Sequence, residues 1–408
     1  MKLNKPEKKI ASLRIALNIF IVLAIGVTPF VYSSEWKTLL TGRVLEMSTP
    51  LTDLFIKASK EFFTACILFC ALGLAKSRVS IIASIPIVFL LAFSVVIGFF
   101  SSDNTLVYLS GLRWIFPLFL LVSLIGIPQE LEIRVLRNSV FLVFLVSFAV
   151  QIMQTRSYNP TFGLTAQGFS ERSAGIFTAP INAGILAVST SLLVWVAPFK
   201  KQLTNIIVIL LVLASVLLTR SGTALIGVFF FIVMRFCQSI RLKIAPAIIM
   251  SSVVGTLVLV NLPFITSRST ILSTSGGTRL GILSSALDTS NFLYGNFGQY
   301  SNTALLISSV MGEGGPKGVI ADSMITSLVG NVGILLAVLM ISLFAILAVL
   351  SVLSSNYAAL TTSVLLLFFS LSVNLTESFP AYLVFAILIA YQIPQLVPIR
   401  VKVRVHSG

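Results

Sequence analysis

Apolar runs close to membrane-crossing length recur along this chain so often that little lies between them. They fall near 15–33, 62–76, 80–100, 108–127, 138–154, 177–198, 203–219, 222–236, 245–264, 324–353, 358–375 and 379–397. A helix needs about 20 predominantly apolar residues to cross the hydrocarbon layer of a bilayer. Hydrophobic residues make up 57% of the 408 residues and charged ones only 10%, too little charge to cover a soluble domain of that size. The pattern reads as an all-α polytopic membrane protein, one integral domain over residues 1–408 with about twelve transmembrane helices.

The net charge of +15 would suit nucleic acid if it formed a patch, but the basic residues sit in short segments between apolar runs. That is how orientation in a membrane is encoded, and it argues against a nucleic-acid partner. With the N-terminus inside, the cytoplasmic segments hold Lys2, Lys5, Lys8, Lys9 and Arg14, then Lys76, Arg78, Arg134, Arg137, Lys200 and Lys201. Arg235, Arg241, Lys243, Arg400, Lys402 and Arg404 bring the set to 17 of the 28 basic residues. An even number of spans places both termini in the cytoplasm. The leader MKLNKPEKK reads as a basic anchor rather than a cleavable signal. Cys66 and Cys70 lie one helical turn apart in an apolar run and Cys237 at a helix end; without metal-ligand spacing they read as packing residues.

The opposite face carries longer segments, at 34–61, 154–176 and 265–322. In the last, Thr278 is placed to cap a short helix with Leu280, Leu283 and Leu287 on one face, and Ser301 or Thr303 to start another. Such helices would lie at the interface, before the flexible GEGGPKG of 312–318. Three arginines on this face stand apart from the orientation charges. Arg172 sits in ERSAGIFTAPINAGILAV at the mouth of a span, Arg220 in LLTRSGTALIG between two spans, and Arg279 in TRLGILSSALD. A guanidinium presents a planar fork of donors that matches phosphate oxygens. The same residues also suit ordinary anionic lipid, or pairing with Glu171 and Asp288. Asp322 opens the run ADSMITSLVGNVG and Glu377 lies in NLTESFP, between the last two spans. Either carboxylate can take a proton from a hydroxyl nucleophile. Asp322 equally reads as a helix cap, and Glu377 as an ion pair closing a tight turn. The one histidine, His406, lies in the tail, so chemistry on the outer face falls to arginines and carboxylates.

Taken in order and sidedness, ERSAGIFTAPINAGILAV, LLTRSGTALIG, the large outer segment with TRLGILSSALD and YGNFG, and the DS…G…G start of the next span resemble the O-antigen polymerase and ligase superfamily. The likeness covers roughly residues 165–345; the N-terminal third matches in topology alone. The resemblance implies a GT-C-type membrane glycosyltransferase acting on undecaprenyl-diphosphate-linked oligosaccharide at the periplasmic face of the bacterial inner membrane. It implies no metal or nucleotide cofactor, with membrane lipids and a chain-length regulator as further partners. By motif it assigns the diphosphate to Arg172 and Arg279, with Arg220 a looser match because the usual Ser-Arg order here reads Arg-Ser. Ligases of the superfamily carry a histidine near the start of the span after the large loop; Asp322 holds that place here. The departure points to a polymerase, with Asp322 and then Glu377 as the group near the attacking hydroxyl. The alternatives are a ligase and, from another class, a lipid-linked oligosaccharide flippase or solute transporter, which would place its charges along a central cavity.

Overall fold

Backbone that enters hydrocarbon must pair its own N–H and C=O groups, so each apolar run closes into a helix. The computed structural model describes residues 5–31, 51–74, 78–101, 105–125, 127–157, 173–177, 179–266, 271–300, 323–375 and 378–396, and no β-strand occurs among them. In chain order the long helices are α1 (Lys5–Gly26), α2 (Leu51–Leu74), α3 (Arg78–Ser101), α4 (Thr105–Ile125), α5 (Ile133–Ser157), α6 (Pro180–Val196) and α7 (Gln202–Thr219). They continue with α8 (Gly222–Ser239), α9 (Ile244–Thr266), α10 (Ile271–Thr289), α11 (Met324–Val332), α12 (Ile334–Leu353), α13 (Tyr357–Ser372) and α14 (Ala381–Leu396). Each of the twelve apolar runs contains a helix. Among the described residues, five stretches are long and apolar enough to cross a membrane: Ile10–Val31, Ile133–Thr155, Gln202–Thr219, Gly222–Ser239 and Ile334–Leu353.

Helix ends follow local chemistry. Pro180 opens α6 at a position where its missing N–H costs nothing. Ser221, Ser323 and Asn356 cap α8, α11 and α13 by accepting from the N–H of Ala224, Thr326 and Ala359. The run 324–353 is two helices rather than one: Gly333 takes φ 112°, which a side chain would resist, and its N–H closes α11 on Leu328 and Val329.

The exterior is apolar, with Phe100 81% and Leu353 76% exposed, a surface suited to lipid rather than water. Inside the bundle, α6 packs against α5, α7, α8, α13 and α14, and 14 of its residues are buried. Its Ser189, Thr190 and Ser191 turn their hydroxyls onto carbonyls of their own helix, which satisfies them without water.

The segments expected as outer loops are partly helical. Residues 51–61 belong to α2, and 154–157 complete α5. Helix α10 runs uninterrupted through Thr278, so Thr278 starts no helix; neighbouring turns supply the bonds a cap would have made. The helix expected from Ser301 or Thr303 lies outside the described residues. The stretch 294–300 does not ride on the surface either. Its Phe297 is wedged where a Cβ on Gly98 or Gly111 would stand 2.6 or 2.5 Å from the ring, and Tyr300 lies likewise against Gly330 at 2.2 Å.

Candidate functional site

The two ends of the bundle use charge differently. At one end Arg14, Arg137 and Arg235 are committed to structure. Arg14 bridges Glu132 at 2.7 Å. Arg137, 8% exposed, donates to the carbonyls of Ala197 and Pro198 at 2.7 and 2.8 Å and stacks on Phe199 at 3.9 Å. It thereby closes the negative C-terminal end of α6. Arg235 lies 5.5 Å from the Trp195 ring, whose indole N–H donates to Gln238.

Seventeen residues up α5 from Arg137, about 25 Å at the helical rise, lies Gln154, at the other end. Here the side chains are amides and hydroxyls, drawn from five parts of the chain into one buried network. Asn331 of α11 holds the backbone of Tyr300 from both sides, accepting from its N–H at 3.0 Å and donating to its carbonyl at 2.9 Å. Ser327 donates to the same carbonyl and accepts from Asn374 at 2.8 Å. The Met324 N–H bonds the Val373 carbonyl, and Ser378 donates to Asn182 of α6 at 3.1 Å. The Tyr300 and Thr289 hydroxyls share a bond of 2.8 Å, tying α10 to the wedge. Thus the start of α6, the end of α10, all of α11 and the 373–380 turn are fixed to one another.

Lys60 and Arg220 stand close to this network, through Phe379 beside Ser378 and Thr219 beside Gly184, and Arg279 lies ten residues along α10 from Thr289. Arg220 is exposed at the C-terminus of α7 with φ 47° and ψ 33°, a left-handed conformation unusual for a residue with a Cβ. Two residues before it, the Leu218 carbonyl accepts the Ser173 N–H. Arg279 is half-buried on α10 and its Nε is buried with no hydrogen-bond partner. Asp288, at the far end of the same helix, makes no ion pair with it. Lys60 of α2 is 7% exposed, 5.6 Å from the Phe379 ring and 3.7 Å from Glu61. One turn on, Thr64 bonds the Tyr382 hydroxyl.

No protein-family model matches this chain, and no curated protein matches it. The site is therefore read from its own geometry.

Of the residues singled out from sequence, Arg220 and Arg279 are placed, while Arg172, Asp322 and Glu377 lie outside the described residues. Their chain neighbours are placed. Ser173 follows Arg172 and bonds beside Arg220; Ser323 follows Asp322 and caps α11. Ser378 follows Glu377 and bonds α6. Sequence reading missed Lys60, Asn331, Asn374 and Asn182. The signal was present: an amide or ammonium within an otherwise apolar run needs a partner or a task. From sequence Lys60 reads as part of a loop, because the apolar run after it begins at Phe62.

Chemically, the arrangement pairs a rigid, uncharged hydrogen-bonding floor with guanidinium and ammonium groups on its rim. The floor's amides and hydroxyls bond one another and hold the segments together, and guanidinium and ammonium groups suit an anion.

Proposed function

We propose that the chain polymerises undecaprenyl-diphosphate-linked oligosaccharide repeat units at the periplasmic face of the bacterial inner membrane. It does so as a metal-independent, inverting GT-C-like glycosyltransferase with about twelve spans. The observation that carries this reading is the sidedness of the bundle. Arg14, Arg137 and Arg235 at one end are tied to an acid, to carbonyls or to an aromatic ring, whereas Lys60 and Arg220 at the other stand close to a buried network of amides and hydroxyls. A reaction at one membrane face needs that asymmetry.

The chemistry follows from the residue types. The bond that breaks joins C1 of a sugar to a diphosphate. Arg220 and Arg279, with Arg172 carried over by resemblance, would neutralise the departing diphosphate as its charge grows. A hydroxyl of a second lipid-linked unit attacks C1 from the opposite side, inverting it. Its proton passes to a carboxylate, Asp322 first and Glu377 second. The network holding Met324 to Val373 draws the segments after Asp322 and before Glu377 together, which supports a shared task for the two acids.

The purified protein in lipid nanodiscs, given a lipid-diphosphate-linked repeat unit without metal or nucleotide, is expected to form a ladder of products. Arg279→Ala and Asp322→Asn should abolish the ladder. A ladder unchanged by both would remove those residues from the mechanism.

One observation favours a transporter instead: the break between α11 and α12 at Gly333 resembles the discontinuous helices that form substrate sites in carriers. Reconstituted vesicles separate the two. Movement of a labelled lipid-linked unit across the bilayer with no ladder would favour the carrier.

A further inference from the structure

The junction of α5, α7 and the Ser173–Phe177 segment departs from the rule that buried polar groups are bonded. Ser147, Gln151 and Gln154 recur at i, i+4 and i+7 and so share one face of α5; Ser147 is 2% and Gln151 0% exposed. Gln154 holds the Gly175 backbone with both ends of its amide, donating to the carbonyl at 2.8 Å and accepting from the N–H at 2.9 Å. Gln151 accepts from Ser215 of α7 at 2.7 Å, but its Nε2 has no partner, and neither have Ser147 Oγ or Ser173 Oγ. These are three of the six buried side-chain atoms without a partner among the described residues. Exchanging the two ends of the Gln151 amide would only move the unmade bond to its oxygen. Gly175 has φ +62°, and Ser147 Oγ lies 2.2 Å from where a Cβ on it would stand. Only glycine lets the segment close down on α5.

We propose that the Ser173–Phe177 segment is a moving part. Gln154 latches it onto α5 in the arrangement described, and in a second arrangement it lifts so that water reaches Ser147, Gln151 and Ser173. The latch and the unmade bonds oppose each other, so neither arrangement overwhelms the other. The segment leads into α6 and bonds α7 two residues before Arg220, so its release opens the flank of the cationic rim. What it admits rests on the diphosphate reading; the movement itself does not.

Hydrogen exchange of the full chain in nanodiscs, read by mass spectrometry, tests this. Peptides over 173–177 are expected to exchange at least a hundredfold faster than those over 183–194 of α6. Gln154→Leu should speed exchange in that segment alone by about tenfold, the worth of its lost bonds. If that variant fails to fold, Gln154→Glu keeps the acceptor, loses the donor and should give a smaller acceleration. Ser147→Ala removes an unmade bond from the latched state and should slow exchange about five- to tenfold. Protection equal to that of α6, or no slowing in Ser147→Ala, would overturn the proposal. Geranylgeranyl diphosphate added to the wild type should change exchange of the same peptides. If the segment moves yet ignores the diphosphate, the movement stands and the diphosphate reading fails.

Discussion

Replacing Arg220 by glycine separates the demands of the fold from those of the site. Arg220 ends α7 in the left-handed region, its N–H bonding the Leu217 carbonyl at 3.1 Å. For a residue with a Cβ that conformation costs about 1–2 kcal/mol, which glycine recovers. Against this stand glycine's extra freedom in the unfolded chain, about 0.5–1 kcal/mol, and loss of a cation at a helix C-terminus, about 0.3–1 kcal/mol. These backbone and helix-end terms nearly cancel, so any stability that Arg220→Gly loses beyond about 1 kcal/mol measures the contacts of the side chain itself. Arg220→Ala removes the same side chain but keeps the left-handed cost, so it should be less stable than Arg220→Gly by about 1 kcal/mol. Function should not follow stability. A guanidinium making two charge-assisted bonds to a diphosphate contributes about 3 kcal/mol, roughly a hundredfold in affinity or rate. Both variants should lose that factor in product formation and in binding of geranylgeranyl diphosphate. Thermal unfolding in nanodiscs and the ladder assay, run on the same preparations, give the two readouts. Wild-type product formation by Arg220→Gly would refute the role in binding; greater stability of Arg220→Ala would refute the backbone argument.

The wedge of residues 294–300 should tolerate no added bulk beneath it. Gly111→Ala places a methyl 2.5 Å from Cε1 of Phe297, an overpacking cost of about 1–3 kcal/mol, and Phe297→Leu in the same chain, which lacks that atom, should restore part of the lost melting temperature. Arg137→Met leaves the Ala197 and Pro198 carbonyls without their donor and should destabilise by about 2–4 kcal/mol. Its folded fraction should retain specific activity in the ladder assay, because the proposed transfer lies at the opposite end of the bundle.

The helices were legible because hydropathy and the need to satisfy backbone in lipid act locally. All twelve apolar runs hold a helix, and the ends at Pro180, Ser221 and Asn356 follow from single residues. What escaped depended on contacts distant in sequence. Nothing near Gly333 marks the run 324–353 as two helices; the break follows from Asn291 and Phe292 bonding the backbone of Ile334 and Leu335. Nothing in YGNFG shows that Phe297 enters a slot between Gly98 and Gly111. Of the cations on the rim, Arg220 and Arg279 were visible as charges out of place and Lys60 was not. The buried floor was not, because Asn182, Asn331 and Asn374 acquire meaning only once three distant segments meet.

One device recurs at three places where the chain leaves helical geometry. Asn205 holds both backbone groups of Phe199, Gln154 those of Gly175, and Asn331 those of Tyr300. Away from water an unpaired peptide group costs several kcal/mol, and a helix cannot satisfy the backbone of a neighbouring loop with its own committed groups. A side-chain amide can, since it offers one donor side and one acceptor at the spacing a β-ladder would provide. Such amides let non-helical segments sit deep in the bundle, and those segments bring side chains from several helices to one point. Ring-sized substrates with many hydroxyls need that convergence. Two such clamps stand at the end of the bundle where the proposed transfer lies, while the Asn205 clamp at the opposite end holds Phe199 beside Arg137.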